Sequence, residues 1–203
     1  MKDEPNPLHE STSKEEEHWP ARAANPSLET ISQKYPVDSW IQVFTDGSSD
    51  RDQRRTDAGF NTPGLFEGSV QLSLSSINFD AVVRAINEAA TILLNLSRNP
   101  ARVVFLVDTQ AAINSLCSIH VPDEYQVLQA RKALGSLMKE GWQVVLQWVA
   151  SHCGVQGNEA AFALPKRGNE MPPTKDPISH NQAMVEAWKK VEKLRWIDPV
   201  MHL

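Results

Sequence analysis

The alternation of apolar and polar residues along the chain predicts an α/β fold. The run Trp40-Ile41-Gln42-Val43-Phe44 alternates as in a strand and stops before Asp46, which predicts a strand over residues 41–46. Two further apolar stretches are separated by Thr62-Pro63-Gly64, a turn sequence that favours an antiparallel meander. The continuous apolar run Val103–Val107 is typical of a strand covered on both faces. In chain order, the predicted strands span residues 41–46, 58–61, 65–74, 103–107 and 144–149.

Helical periodicity appears between these strands. Apolar residues at 82, 83, 86, 89, 93 and 96 recur close to every 3.6 residues, so we expect a helix from Asp80 to Leu96 that is capped near Asn78 or Asp80. Further helices are expected over residues 109–116 and 124–139 and from about Asn158. The resulting order, βββαβααβα, predicts a sheet with mixed strand directions.

Two changes in composition delimit the predicted domain. Residues 1–36 are rich in Glu, Ser, Pro and Asn without sustained periodicity, which predicts a flexible acidic leader. Three prolines interrupt regular structure within residues 168–177. Beyond them, four residues at helical spacing predict a short amphipathic helix, which packs on the core or binds a partner. The spaced residues are Met184, Trp188, Val191 and Arg195. The sequence therefore divides into a leader, a domain over 37–170, and a linker with a helix over 171–203.

Composition and charge narrow the class of protein. At 203 residues and 41% hydrophobic content, the chain can bury one sizeable core. The formal net charge of -5 gives no global basic field, so nucleic-acid binding would need a local patch. The two cysteines, Cys117 and Cys153, form no C-x-x-C motif, which disfavours a disulfide scaffold or a structural zinc site. No apolar run reaches the roughly 18 residues of a membrane span, and the N-terminus is too charged for a signal peptide. We expect an intracellular, soluble, monomeric protein, in either nucleus or cytoplasm.

Two aspartates directly follow predicted strands. Asp46 lies in the stretch VFTDGSS after the first strand, and Asp108 follows the fourth. If these strands are adjacent and parallel, both carboxylates lie at carboxyl ends, where open α/β sheets bind ligands. Two carboxylates there favour a metal-binding site. The alternative is that each aspartate caps the turn or helix that follows it.

Four stretches share their order and spacing with a known family. They are FTDGSS at 44–49, NFDAVVRAI at 78–86, FLVDTQAAINSL at 105–116 and QWVASHCGVQGNEAA at 147–161. In this arrangement they resemble a type 1 ribonuclease H domain of the non-LTR retrotransposon kind. The resemblance implies a five-stranded mixed sheet of order 3-2-1-4-5 flanked by helices, which agrees with the pattern above. It also implies hydrolysis of the RNA strand of an RNA/DNA hybrid by two Mg²⁺ ions that four carboxylates hold.

Only half of that carboxylate set is present. On the resemblance, Asp46 and Asp108 match two of the metal ligands. The other two positions are occupied by Val82 and Phe162, neither of which can bind a metal ion. The resemblance therefore implies weak or absent Mg²⁺ binding and cleavage that is weakened or lost.

Three other site positions are retained. His152 matches a mobile-loop histidine that assists proton transfer or product release in the family; otherwise it is a bystander in a loop. Asn78 and Gln110 match positions that contact the hybrid, and amides suit the wide minor groove of an A-like duplex. The alternatives are a helix cap for Asn78 and a solvated side chain for Gln110.

Two functional hypotheses follow from these features. The first is a ribonuclease H-like domain of retroelement origin, which binds RNA/DNA hybrid weakly and has impaired cleavage. The second is a non-catalytic nucleic-acid or protein interaction module that keeps only the fold. An unselected fragment of a decayed element is a third alternative.

Overall fold

A single mixed sheet and the helices beside it form the fold. The computed structural model describes residues 21–23, 28–50, 55–73, 76–96, 99–150, 161, 163 and 164. The strands are β1 (Ala21–Ala23), β2 (Ile41–Asp50), β3 (Arg55–Thr62), β4 (Phe66–Gln71), β5 (Arg102–Val107) and β6 (Gln143–Trp148). The helices are α1 (Leu28–Lys34), α2 (Asn78–Asn95), α3 (Gln110–Cys117) and α4 (Tyr125–Lys139).

The six strands lie in the order β1-β6-β5-β2-β3-β4. Strands β2, β3 and β4 form an antiparallel meander, whereas β5 pairs in parallel with both β2 and β6. Strands β2 to β6 are the five predicted strands, and their order is the predicted 3-2-1-4-5. The predicted α/β fold, a five-stranded mixed sheet flanked by helices, is therefore confirmed. The short strand β1 adds a parallel edge strand beside β6.

Part of the segment predicted as a flexible leader forms regular structure. Strand β1 and helix α1 both lie within residues 1–36. Ile31 and Tyr35 are buried, and both belong to an apolar cluster on the sheet. These two side chains are one helical turn apart, a period too short to recognise in a polar segment. The packed structure thus begins before residue 37, while residues 1–20 and 24–27 lie outside the described part.

Side chains cover both faces of the central strands. On one face, Val43 and Phe105 pack with α2, α3 and α4 in the larger core cluster. On the other face, Phe44 and Leu106 pack against Ile31 of α1. This arrangement explains the uninterrupted apolar run in β5, since strands buried on both sides show no polar alternation. The predicted helix from Asn158 and the segment 171–203 lie outside the described residues, although buried Ala161 joins the second cluster.

Candidate functional site

The sheet brings Asp46 and Asp108 to the point where β2 and β5 separate. Parallel pairing of these strands ends at Thr45 opposite Val107. Asp46 and Asp108 directly follow these last paired residues in the chain. Asp46 continues in β2 opposite Gly59 of β3, whereas Asp108 lies just beyond the end of β5. The strand topology therefore places both residues at the carboxyl end of the same parallel pair.

The two carboxylates differ in environment. Asp46 is only 5% exposed, and strand alternation places it on the same face as Phe44. Asp108 is half-buried, and its carboxylate accepts a hydrogen bond of 3.1 Å from the Thr109 hydroxyl. The indole of Trp148 donates to the Asp108 backbone carbonyl at 2.9 Å, which ties the end of β5 to β6. Thr109 is the N-cap residue of α3, so the alternative of a helix cap for Asp108 is not observed.

Helix α2 begins in direct contact with β2. A Cβ atom at Gly47 would lie 2.7 Å from both the backbone carbonyl and the side-chain oxygen of Asn78, and 2.9 Å from Cβ of Ala81. Such distances are too short for a side chain, so the absence of a side chain at Gly47 allows this approach. The Thr56 hydroxyl of β3 donates to the Ser76 carbonyl at 2.7 Å and fixes the segment that enters α2. The first turn of α2 is thereby held next to the strand that carries Asp46.

The start of α2 also differs from the sequence prediction in detail. The helix begins at Asn78, with Ile77 as its N-cap residue, rather than at Asp80. The Asp80 carboxylate accepts a hydrogen bond of 2.8 Å from the Ile77 amide and is itself buried. Asp80 therefore stabilises the helix terminus from its third helical position, because that carboxylate satisfies an amide at the N-terminus.

Val82 occupies the helix position at which the resemblance expects a carboxylate. Its side chain is 0% exposed and belongs to the larger core cluster. Glu88, further along α2, forms an ion pair with Arg84 in which Nε and Oε1 are 2.7 Å apart. Val82 is thus a core residue. His152 and Phe162 lie outside the described residues.

Asn78 and Gln110 are both exposed at helix starts beside the two aspartates. Asn78 is the first residue of α2, and Gln110 is the first residue of α3. Neither is the N-cap residue of its helix, so the alternative of a helix cap for Asn78 is not observed. Gln110 is two residues from Asp108, and Asn78 faces Gly47 next to Asp46. By strand alternation, Gly47 and the Asn78 side chain beside it lie on the sheet face opposite the Asp46 side chain, whereas Gln110 follows Asp108 by two residues.

The donor set at this site is small. Within the described ranges, no group of three or more His, Cys, Asp or Glu residues lies close enough to hold a metal ion. Asp46 and Asp108 together offer two carboxylates, and Mg²⁺ bound by so few protein ligands keeps water and substrate oxygens in its remaining positions. The described residues therefore fit a partial shell for one ion but do not fit a two-ion centre.

A further buried carboxylate on the same sheet face was not predicted from the sequence. Asp57 of β3 lies opposite Ser48, and alternation places it on the face that carries Asp46. Burial raises the pKa of Asp57, whereas a hydrogen bond and the charge of Arg55 lower it. Among the described atoms, its Oδ1 oxygen is buried without a hydrogen-bond partner. The signal in the sequence is Arg55-Thr56-Asp57, in which strand alternation places the two charged side chains on one face.

No family model matches this chain, and no curated protein is significantly similar to it. Within the described part of the chain, no helix is both long enough and apolar enough to cross a membrane. The fold and the site thus define an α/β domain with two neighbouring carboxylates at the carboxyl end of its parallel strands.

Proposed function

We propose that this chain is a ribonuclease H-like domain of retroelement origin that binds RNA/DNA hybrid weakly and has weakened or lost cleavage. The observation that supports it best is the position of Asp46 and Asp108, side by side where β2 and β5 separate. The resemblance expects carboxylates at these positions, on strands in this order. Val82, buried in the core, accounts for the impaired cleavage, because a valine cannot replace a metal-binding carboxylate.

The proposed hybrid contact involves Asn78 and Gln110. Their amides are exposed at the first residues of α2 and α3 and can hydrogen-bond sugar hydroxyls in the minor groove of an A-like duplex. The net charge of -5 supplies little attraction to phosphates, so we expect weak affinity that falls as salt rises. His152 would act in proton transfer only where a metal-bound substrate is present.

A binding titration tests the contact directly. Fluorescence anisotropy of a labelled RNA/DNA hybrid at low salt should show weak, saturable binding to the full chain. Asn78→Ala and Gln110→Ala should each weaken it by about 2- to 10-fold, the loss of one net hydrogen bond. Asn95→Ala is the matched control, because Asn95 is an exposed amide at the opposite end of α2. If no binding occurs at high micromolar protein, or if all three variants behave alike, the hybrid contact is wrong.

A cleavage assay tests the account of the missing ligands. Val82→Glu combined with Phe162→Asp should raise Mg²⁺-dependent cleavage of the hybrid, since one lost electrostatic group often costs about a hundredfold in rate. Asp46→Asn in the restored chain should abolish that gain. The account is wrong if the unmodified chain already cleaves hybrid rapidly and Asp46→Asn leaves this rate unchanged.

A second candidate function is a non-catalytic interaction module. The loop between α3 and α4 carries two strongly exposed aliphatic side chains, Ile119 at 82% and Val121 at 84%. Neighbouring exposed apolar residues are typical of protein interaction sites. This candidate predicts that Asn78→Ala leaves function in a partner-binding assay intact, whereas substitution of Val121 impairs it.

A further inference from the structure

A cavity of about 540 Å³ lies between the start of α2, the end of α3 and the start of α4. Its apolar lining includes Ile77, Phe79 and Val121. Asp123 and Glu124 contribute two carboxylates to the same lining. Val121 is 84% exposed and Ile77 is 52% exposed, so part of this apolar lining contacts solvent. His120 and Arg131 also line it. We call this feature the α3–α4 cavity; an occupant with apolar side chains and a positive charge directed at the two carboxylates would complement it.

The loop that forms one wall of the cavity is held in place by a buried arginine. Arg131 of α4 is 7% exposed, and its guanidinium donates hydrogen bonds to the backbone carbonyls of Ser115 and His120. Ser115 lies in α3, just before the loop that presents Val121, and His120 lies within that loop. Because the loop is already ordered, an occupant loses little affinity to loop ordering.

The C-terminal segment of the same chain has the complementary pattern. At 100° per residue, Met184, Trp188 and Val191 fall within one narrow arc of a helix. Lys189, Lys190 and Lys193 supply positive charge on other faces, and Arg195 lies within the apolar arc. The segment lies outside the described residues, so its chemistry is taken from the sequence alone.

The chain is long enough to bring this segment to the cavity. Residue Leu164 is the last that the structure describes, and about 20 residues separate it from Met184. About 20 residues of random-coil chain would span on average about 25 Å, comparable to the diameter of a domain of this size. An attached segment is present at an effective concentration of about a millimolar, which favours contact even when its intrinsic affinity is modest.

We propose that residues 184–195 bind the α3–α4 cavity of their own chain. Met184, Trp188 and Val191 contact its apolar lining, and Arg195, which shares their arc, lies near Asp123 and Glu124. This inference does not depend on the proposed nucleic-acid function, because it rests on the cavity lining, the charge and the linker length.

Hydrogen–deuterium exchange on the full chain tests the proposal. In the unmodified protein, amides of residues 118–127 should exchange more slowly than in a Met184→Asp, Trp188→Asp variant, by about 3- to 10-fold, as expected for a modest binding free energy. Glu186→Gln is the matched control on the polar face of the segment and should leave exchange unchanged. Equal exchange in the unmodified chain and the double variant overturns the proposal.

A synthetic peptide of residues 181–197 supplies an independent measurement. Added to the double variant, it should bind and restore the slow exchange of residues 118–127. Val121→Ser in that variant should weaken peptide binding at least 3-fold. Val37→Ser is the control, because Val37 is another strongly exposed valine, and it should leave peptide binding unchanged. Failure of the peptide to bind overturns the proposal. The proposal is also overturned if the protection of residues 118–127 in the unmodified protein rises with protein concentration, because the segment then binds a second copy of the chain.

Discussion

Two glycines predict opposite effects of the same substitution. Gly47 lies in β2 against the start of α2, whereas Gly135 lies in the interior of α4. A Cβ atom at position 47 would be 2.7 Å from the Asn78 carbonyl oxygen, but a Cβ at position 135 meets no atom within 4 Å. Gly47→Ala should therefore destabilise the fold, and Gly135→Ala should stabilise it.

The expected magnitudes follow from this geometry. Forcing extra volume into a packed contact typically costs about 1–3 kcal/mol, and the carbonyl that opposes Gly47 belongs to helix backbone that cannot rotate away. The hydrogen bond between Asp80 and Ile77 further restrains this turn. In Gly135→Ala, the helix gains about 0.5–1 kcal/mol because alanine has the higher helix propensity and restricts the unfolded chain. The two variants should differ in unfolding free energy by about 1.5–4 kcal/mol, the sum of these estimates.

Urea unfolding followed by far-UV circular dichroism measures both effects. An unchanged slope with denaturant concentration would show that the two variants unfold through the same change in exposed surface. The close approach of β2 and α2 is refuted if Gly47→Ala is as stable as the unmodified chain. The open environment of Gly135 is refuted if Gly135→Ala loses stability.

Three further predictions concern buried polar and core residues. Because burial raises the folded pKa of Asp57 above its ordinary value of 3.8, its stabilising contribution is fully present below the unfolded pKa and is lost as the pH rises through the folded pKa. Urea titrations of the unmodified chain and of Asp57→Asn should therefore be compared across pH. The unfolding free energy of the unmodified chain should fall relative to that of the variant as the pH rises above 3.8. A difference that stays constant with pH would contradict this. Val82→Glu alone should destabilise the chain by about 2–5 kcal/mol at pH 7 and by less at pH 5, since protonation removes a buried charge. Val82→Met, measured by the same thermal unfolding, should cost about 1–3 kcal/mol at both pH values, because it adds volume without charge. Arg131→Leu should cost about 1–3 kcal/mol and speed amide exchange near His120, because the backbone carbonyls of Ser115 and His120 lose their donor. Unchanged exchange would contradict this role of Arg131.

Long apolar patterns were sufficient to predict most of the sheet and helices. The run Val103–Val107 is fully buried, and the periodic apolar residues of α2 face the core as expected. The hairpin ends were missed, because β2 continues to Asp50 and β3 begins at Arg55 through polar residues. Backbone hydrogen bonds extend this ladder regardless of side-chain polarity, so alternation of apolar residues gives no sign of it.

The site was predictable in part. Adjacent parallel strands bring the residues that follow them together, so Asp46 and Asp108 could be paired from the predicted topology. The burial of Asp57 and the contact between Gly47 and Asn78 depend on how α2 packs on the meander. Such tertiary distances leave no periodic pattern in the sequence. The two short N-terminal elements were missed for a similar reason, since each is too short to show a period.

On the proposed function, the burial of Val82 connects weakened or lost cleavage with the persistence of the fold. A fully buried valine stabilises the folded state by about 1.5–3 kcal/mol, whereas a carboxylate at the same place is desolvated and repels any neighbouring negative charge unless an ion neutralises it. On the proposed function, a valine at this position therefore removes both a ligand and a source of strain. The remaining carboxylates, Asp46 and Asp108, then no longer need a metal ion to balance a third nearby negative charge. A chain selected only for its fold and its binding surface would gain stability from this exchange, as expected where activity and stability oppose each other. The same reasoning explains why Val82→Glu should be tolerated best together with Phe162→Asp in the presence of Mg²⁺, when an ion can offset the charge that both substitutions introduce.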